Sequence, residues 1–231
     1  MLVVNWVLYQ LALAQGSHCD AAGFLVDLGS RRANLDEAKS AYLRARELAV
    51  KHGCAEAAAR SAVGLAYVLL TERSYGEAEQ IVANEMDRIR TLGSPTLLTE
   101  ALLKRGAACD QQGRHEDAVE FWREAAEVSR TARYKAGYIS AITNLGGAAY
   151  RAHRDDEASS YWLEVIDLSQ RRNPLKVAEL DMYLGIIAMR SGKVDNAQFR
   201  FAESRALYEK HGRRDLADKA ASFLDLATRK V

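Results

Sequence analysis

Polar and apolar positions in this chain follow the helical period, and they do so in a motif that returns five times. The segments are NLDEAKSAYLRA from Asn34, SYGEAEQIVANE from Ser74, RHEDAVEFWREA from Arg114, RDDEASSYWLEV from Arg154 and KVDNAQFRFAES from Lys193. Each holds an alanine (Ala38, Ala78, Ala118, Ala158, Ala197), and these alanines are spaced by 40, 40, 40 and 39 residues. Four residues beyond each stands a larger side chain, Tyr42, Val82, Trp122, Trp162 or Phe201, on the same face of a helix. Twelve residues before each alanine lies Val26, Ala66, Gly106, Gly146 or Gly185, preceded by Leu25, Leu65, Arg105, Leu145 or Leu184. This pattern predicts two antiparallel helices per repeat. The small residue of the first helix meets the alanine of the second, and the aromatic fills the space toward the next pair.

Turn chemistry separates the two helices. Gly113 and Gly192 stand where a left-handed cap ends the first helix, and Glu116, Asp117 and Asp195 favour the positive end of the second. Ser94-Pro95 and Asn173-Pro174, the only two prolines, read as an N-cap followed by proline in the first turn. The expected organisation is one helical-repeat domain over residues 1–231, with pairs at 15–53, 54–93, 94–133, 134–172 and 173–212. Residues 1–14 read as the second helix of an earlier pair, with Leu2, Trp6, Tyr9 and Leu13 on its apolar face. That start is either a helical cap or a cut from a longer chain. Residues 213–231 read as a closing helix carrying Leu216, Phe223, Leu224 and Leu226.

The small residue, the alanine twelve later and the aromatic four beyond resemble the tetratricopeptide repeat, from about Ala22 to Ser204. The resemblance implies an all-α solenoid of antiparallel helix pairs forming a right-handed superhelix. The period departs from the usual 34 residues, and the proline that normally closes the second helix is replaced by Val50, Arg90, Arg130, Gln170 and Glu209. Longer helices follow. Forty-residue variants of this kind are similar to those of kinesin light chains, bacterial peptide-pheromone receptors and phosphatases, and the sensor regions of large bacterial transcriptional activators. The HEAT period also fits, but its composition is less apparent.

Thirty-two Lys and Arg against 31 Asp and Glu leave a net charge of +1, so bulk attraction toward nucleic acid or anionic membrane is absent. The apolar start MLVVNWVLYQLALA has no preceding basic residue and is too short to span a bilayer. Three cysteines, Cys19, Cys54 and Cys109, odd in number and widely spaced in a chain too large to need staples, predict a reducing, cytoplasmic setting.

Motifs for chemistry are missing. The five histidines, His18, His52, His115, His153 and His211, show no paired spacing, and His18/Cys19 with His52/Cys54 are the only Cys/His proximities. Phosphate loops and hydrolase elbows do not occur, and acidic clusters such as Asp155-Asp156-Glu157 fall at helix starts. No catalytic residue, metal or cofactor is expected.

A binding groove remains. The resemblance puts first-helix residues eighteen, fifteen, eleven, eight and seven positions before each alanine on the concave face. Those singled out as partner-binding are Tyr67, Glu100, Asp110, Tyr150, Arg151 and Arg190, together with Asn144, the groove-side asparagine one turn from Ser140. Leu103, Met182 and Ile186 fall in the same rows, and they belong to the core if the register is displaced by one. The Lys/Asn pairs of the heat-shock-tail carboxylate clamp are not reproduced around Asn144. The expected function is non-catalytic binding of a protein or peptide, as in the sensor or docking part of a bacterial regulator. The alternatives are self-association through the bare ends of the solenoid and, further off, an enzyme with a site spanning repeats.

Overall fold

The computed structural model describes residues 2–169 and 173–229, and all regular structure among them is helical. Two compact units divide the chain, Met1–Ala141 and Ile142–Val231. The first holds α1 (Leu2–Ala14), α2 (His18–Ser30), α3 (Leu35–Lys51), α4 (Ala55–Thr71), α5 (Tyr75–Ala83), α6 (Met86–Leu92), α7 (Pro95–Gln111), α8 (His115–Thr131) and the start of α9 (Lys135–Arg151). The second holds the rest of α9 with α10 (Asp155–Ser169), α11 (Pro174–Arg190), α12 (Val194–Lys210) and α13 (Arg214–Thr228).

Within the first unit α1 to α5 pack each on the next, α6 packs on α4 and α7, α7 packs on α5 and α8, and the first helices of successive pairs also meet, α2 with α4 and α4 with α7. In the second unit α11 packs on both α10 and α12, and α13 closes over α12. The forty-residue period is two twenty-residue steps. Seven of the described helices are 17 residues long, and left-handed residues recur at Gly53, Arg73, Gly93, Gly113, Arg133 and His153. At Ser94 the hydroxyl accepts from the Leu97 amide, and at Asn173 the side chain accepts from Lys176, ahead of their prolines.

All five repeat alanines are buried. The glycines twelve residues earlier, however, lie nearest the aromatics rather than the alanines. A Cβ on Gly106 would stand 2.4 Å from Trp122 Nε1, one on Gly146 2.4 Å from Trp162 Nε1, and one on Gly185 2.5 Å from Phe201 Cε1. In the first pair the ring of Tyr42 takes that place between Gly29 and Gly64. The bulky ring needs the missing side chain, so glycine and aromatic form one packing unit. Arg105, out of place in a column of leucines, lies 4.2 Å over the Phe121 ring and donates twice to Glu79, at 2.8 and 3.2 Å.

Four expectations are corrected. The second helix of the pair at 54–93 is interrupted at Asn84 and Glu85, because the turn carries the Glu85 carboxylate inside, where Arg88 and Arg46 meet it. Of the α1 face named from sequence, Tyr9 is buried and Leu13 packs on the core; only Trp6 stays exposed, and the open stripe is Val4, Val7 and Leu11. Leu2 side-chain contacts, Gln170 and the last two residues lie outside what is described. Cys19 and Cys54 are not isolated thiols but a disulfide with 5.2 Å between their Cα atoms, because the side-by-side packing of α2 and α4 erases their sequence separation of 35. Their count and spacing therefore give no reason to infer a reducing compartment. The core also takes two groove-row residues, Val63 and Met182.

Candidate functional site

The first unit contains an open groove of about 620 Å³ between α2, α4 and α7, floored by Tyr42 of α3. α4 supplies Arg60 and Tyr67, and α7 supplies Glu100 and Lys104. Tyr67 is 54% exposed although its ring lies 5.1 Å from the Lys104 ammonium. A tyrosine packed only for stability would bury that ring, so its exposure leaves a large, stiff contact surface in the groove wall. Burial pushes the Lys104 amine below its ordinary pKa, with Glu100 acting the other way. Arg60 is committed to Asp27 at 2.6 Å, and Glu100 accepts from the Tyr134 hydroxyl at 3.1 Å. Desolvation and the Glu100 charge raise the Tyr134 pKa.

Of the residues singled out from sequence, Tyr67 and Glu100 come together here. Asp110 does not join them. It sits at the end of α7 with Oδ1 2.9 Å from His115 Nδ1, across the turn into α8.

The remaining four belong to the second unit. Tyr150 tilts against Trp162 at 5.5 Å and meets Tyr183 edge-on at 5.4 Å. The Arg190 guanidinium lies 4.6 Å over the Tyr150 ring, and it donates to Asp155 at 2.5 Å and to His153 at 3.2 Å. Both side chains thus already have intramolecular partners, and a ligand meeting them would have to compete with or extend these contacts. Arg151 is exposed at the end of α9, and Asn144 is half-buried about two turns earlier. A second groove of about 490 Å³ runs between α11 and α13, with an apolar floor of Met182, Ile186 and Phe223 and a rim that includes Lys176 and Lys219.

Lys104 and Tyr183 were missed from the sequence. Both lie fourteen residues before their repeat alanine, in a row from which only Asn144 was chosen. The signal was present, since an α-helix exposes positions three and four apart on one face, so the row beside an exposed one also borders the groove.

Among the described residues no group of three or more His, Cys, Asp or Glu is placed to hold a metal ion, and no helix is long and apolar enough to cross a membrane.

No protein-family model matches the chain, and no curated protein matches it. Solved structures do. A signal transduction ATPase with numerous domains from Pyrococcus horikoshii, carrying a tetratricopeptide-repeat sensor, superposes with a TM-score of 0.76 at 18% identity, covering 90% of this chain and 33% of that one. The Rap conjugation gene regulator of plasmid pLS20, in complex with the Phr* peptide, gives 0.65 at 16% identity over 94% of this chain and 62% of that one. BtubC (BKLC) from P. vanneervenii gives 0.62 at 20% identity over 86% and 91%. The chain therefore has a tetratricopeptide-like helical-repeat fold, and it spans only a third of the P. horikoshii protein.

Proposed function

We propose that this chain is a non-catalytic scaffold that holds a segment of a partner protein or a peptide in the groove of its first unit. The observation that carries the reading is Tyr67, left more than half exposed beside the half-buried Lys104 on the wall of a groove large enough for several side chains. Tyrosine supplies contact area at little entropic cost, and a desolvated ammonium gains from a ligand that supplies a hydrogen-bond acceptor. In the second unit, Asn144, Tyr150, Arg151 and Arg190 are proposed as partner contacts of that unit's own. The likeness to a regulator crystallised with a peptide and to an ATPase with a repeat sensor supports a role as the sensor or docking part of a bacterial regulatory protein. The reading carries no nucleic-acid contact, no cofactor and no reaction, and places the protein in the cytoplasm.

Peptides selected from a random displayed library on the immobilised chain test this. Selected sequences should compete with one another for one site and should lose affinity for Tyr67→Ala. A library that yields no peptide sensitive to groove substitutions would overturn the proposal.

One observation favours a second reading, self-association. Val4, Val7 and Leu11 leave an apolar stripe on α1 that is 51 to 56% exposed. Sedimentation over a hundredfold concentration range distinguishes the readings, because a copy-to-copy interface gives a rising mass that Val7→Glu abolishes.

A further inference from the structure

Cys19 is the second residue of α2, and Cys54 is the N-cap of α4. Their bond ties together the starts of two helices that both wall the groove, Val26, Gly29 and Ser30 from α2 facing Arg60, Gly64 and Tyr67 from α4. The two sulfurs are placed unequally, Cys19 on an exposed residue and Cys54 on one that is 5% exposed. The residues beside them also meet. His18 and His52 stack with ring centroids 3.7 Å apart, and His18 Nδ1 is buried with no hydrogen-bond partner.

We propose that Cys19 and Cys54 form a reversible thiol–disulfide modification site, exchanging with small-molecule disulfides of the glutathione type, and that its state sets how firmly α2 is held against α4. In the oxidising direction the Cys19 thiolate attacks one sulfur of the small disulfide and expels a small thiolate, giving a mixed disulfide. The Cys54 thiolate then attacks the Cys19 sulfur and expels the second small thiolate. Two electrons pass from the cysteine pair to the small disulfide, and the two cysteine protons end on the released thiols through solvent. Reduction runs the same steps backwards, starting at exposed Cys19 because the incoming thiolate needs access to the sulfur it attacks.

The bond is one tie among several between α2 and α4. Without it, α2 is still held to α4 by Arg60–Asp27 at 2.6 Å and by the Tyr42 ring seated between Gly29 and Gly64, so the reduced form keeps its fold while the starts of both helices loosen. A looser α2 changes the width of the groove. This last consequence rests on the groove being the binding site; the exchange step does not.

The test uses the whole chain under native conditions. It is equilibrated with reduced or oxidised glutathione, trapped by alkylation, mapped by peptide mass, and compared by hydrogen exchange. Reduced glutathione should make Cys19 and Cys54 alkylatable, oxidised glutathione should reverse this, and amides of residues 18–30 should exchange severalfold faster in the reduced form while those beyond residue 142 do not change. Cys19→Ser should match the reduced wild type. A pair that opens only in denaturant, or a reduced form whose α2 exchanges as slowly as the oxidised one, overturns the proposal. Should Cys19→Ser fail to fold, the glutathione series on the wild type still decides. If exchange occurs as described and yet no groove-binding peptide is found, the groove reading fails and the modification site stands.

Discussion

Gly146 lies directly beneath the indole of Trp162, with no space between them for a methyl group: a Cβ at position 146 would stand 2.4 Å from Nε1. Its neighbour Gly147 faces the other way, where a Cβ would meet only an Arg151 nitrogen at 3.6 Å, an ordinary contact. Adjacent glycines in one helix should therefore respond oppositely. Gly146→Ala is expected to destabilise by about 1–3 kcal/mol through overpacking, despite the better helix propensity of alanine. Gly147→Ala is expected to be neutral or to stabilise by up to about 1 kcal/mol. Urea unfolding midpoints of the two variants check this.

Arg133 occupies the left-handed region at φ 55, where the equivalent turn one step earlier uses Gly113 at φ 80. A side chain there crowds the carbonyl oxygen that follows it, a strain glycine lacks. Arg133→Gly should raise stability by about 0.5–1 kcal/mol, the relief of strain exceeding the added freedom of the unfolded chain. A thermal melt that shifts downward would show that Arg133 makes a compensating contact.

Asp181 is buried and paired with Arg200 at 2.7 Å. Burial holds its carboxyl above the usual carboxylate range, and Arg200 pulls in the opposite direction. Removing the arginine strands the charge, so Arg200→Met should cost about 3 kcal/mol at neutral pH. With its folded pKa raised, the folded state binds more protons than the unfolded one between the two pKa values. Stability is then lost as pH rises through the folded pKa and regained in acid. The gap between variant and wild type should accordingly narrow as pH falls toward the ordinary carboxylate value. Unfolding followed across that range reads it out, and a gap constant with pH would mean the cost is packing alone.

These variants probe a fold that was largely legible in the sequence, because the repeat alanines and the aromatics four residues on impose one register everywhere. What stayed hidden depended on facts a period does not carry. That Gly106 and Gly146 accommodate the indoles rather than the alanines depends on ring orientation. That Cys19 meets Cys54 depends on α2 and α4 lying level at their starts. The groove was half legible: Tyr67 and Glu100 were placed in it, while Lys104, a turn away from Glu100, needed the burial that only packing reveals. In the second unit the sequence named Tyr150 and Arg190 without showing that they stack on each other and that Arg190 is tied to Asp155.

The most direct measurement is calorimetric titration of one selected peptide into the wild type, Tyr67→Ala, Lys104→Met and an outer-face control. Leu163→Ala serves as that control, since Leu163 is 44% exposed on α10, the second helix of its pair. The groove account predicts that Tyr67→Ala weakens binding by about 2 kcal/mol or more, roughly thirtyfold, that Lys104→Met weakens it as well, and that Leu163→Ala leaves it unchanged. Affinity that survives both groove substitutions in folded protein and falls with Leu163→Ala would contradict it.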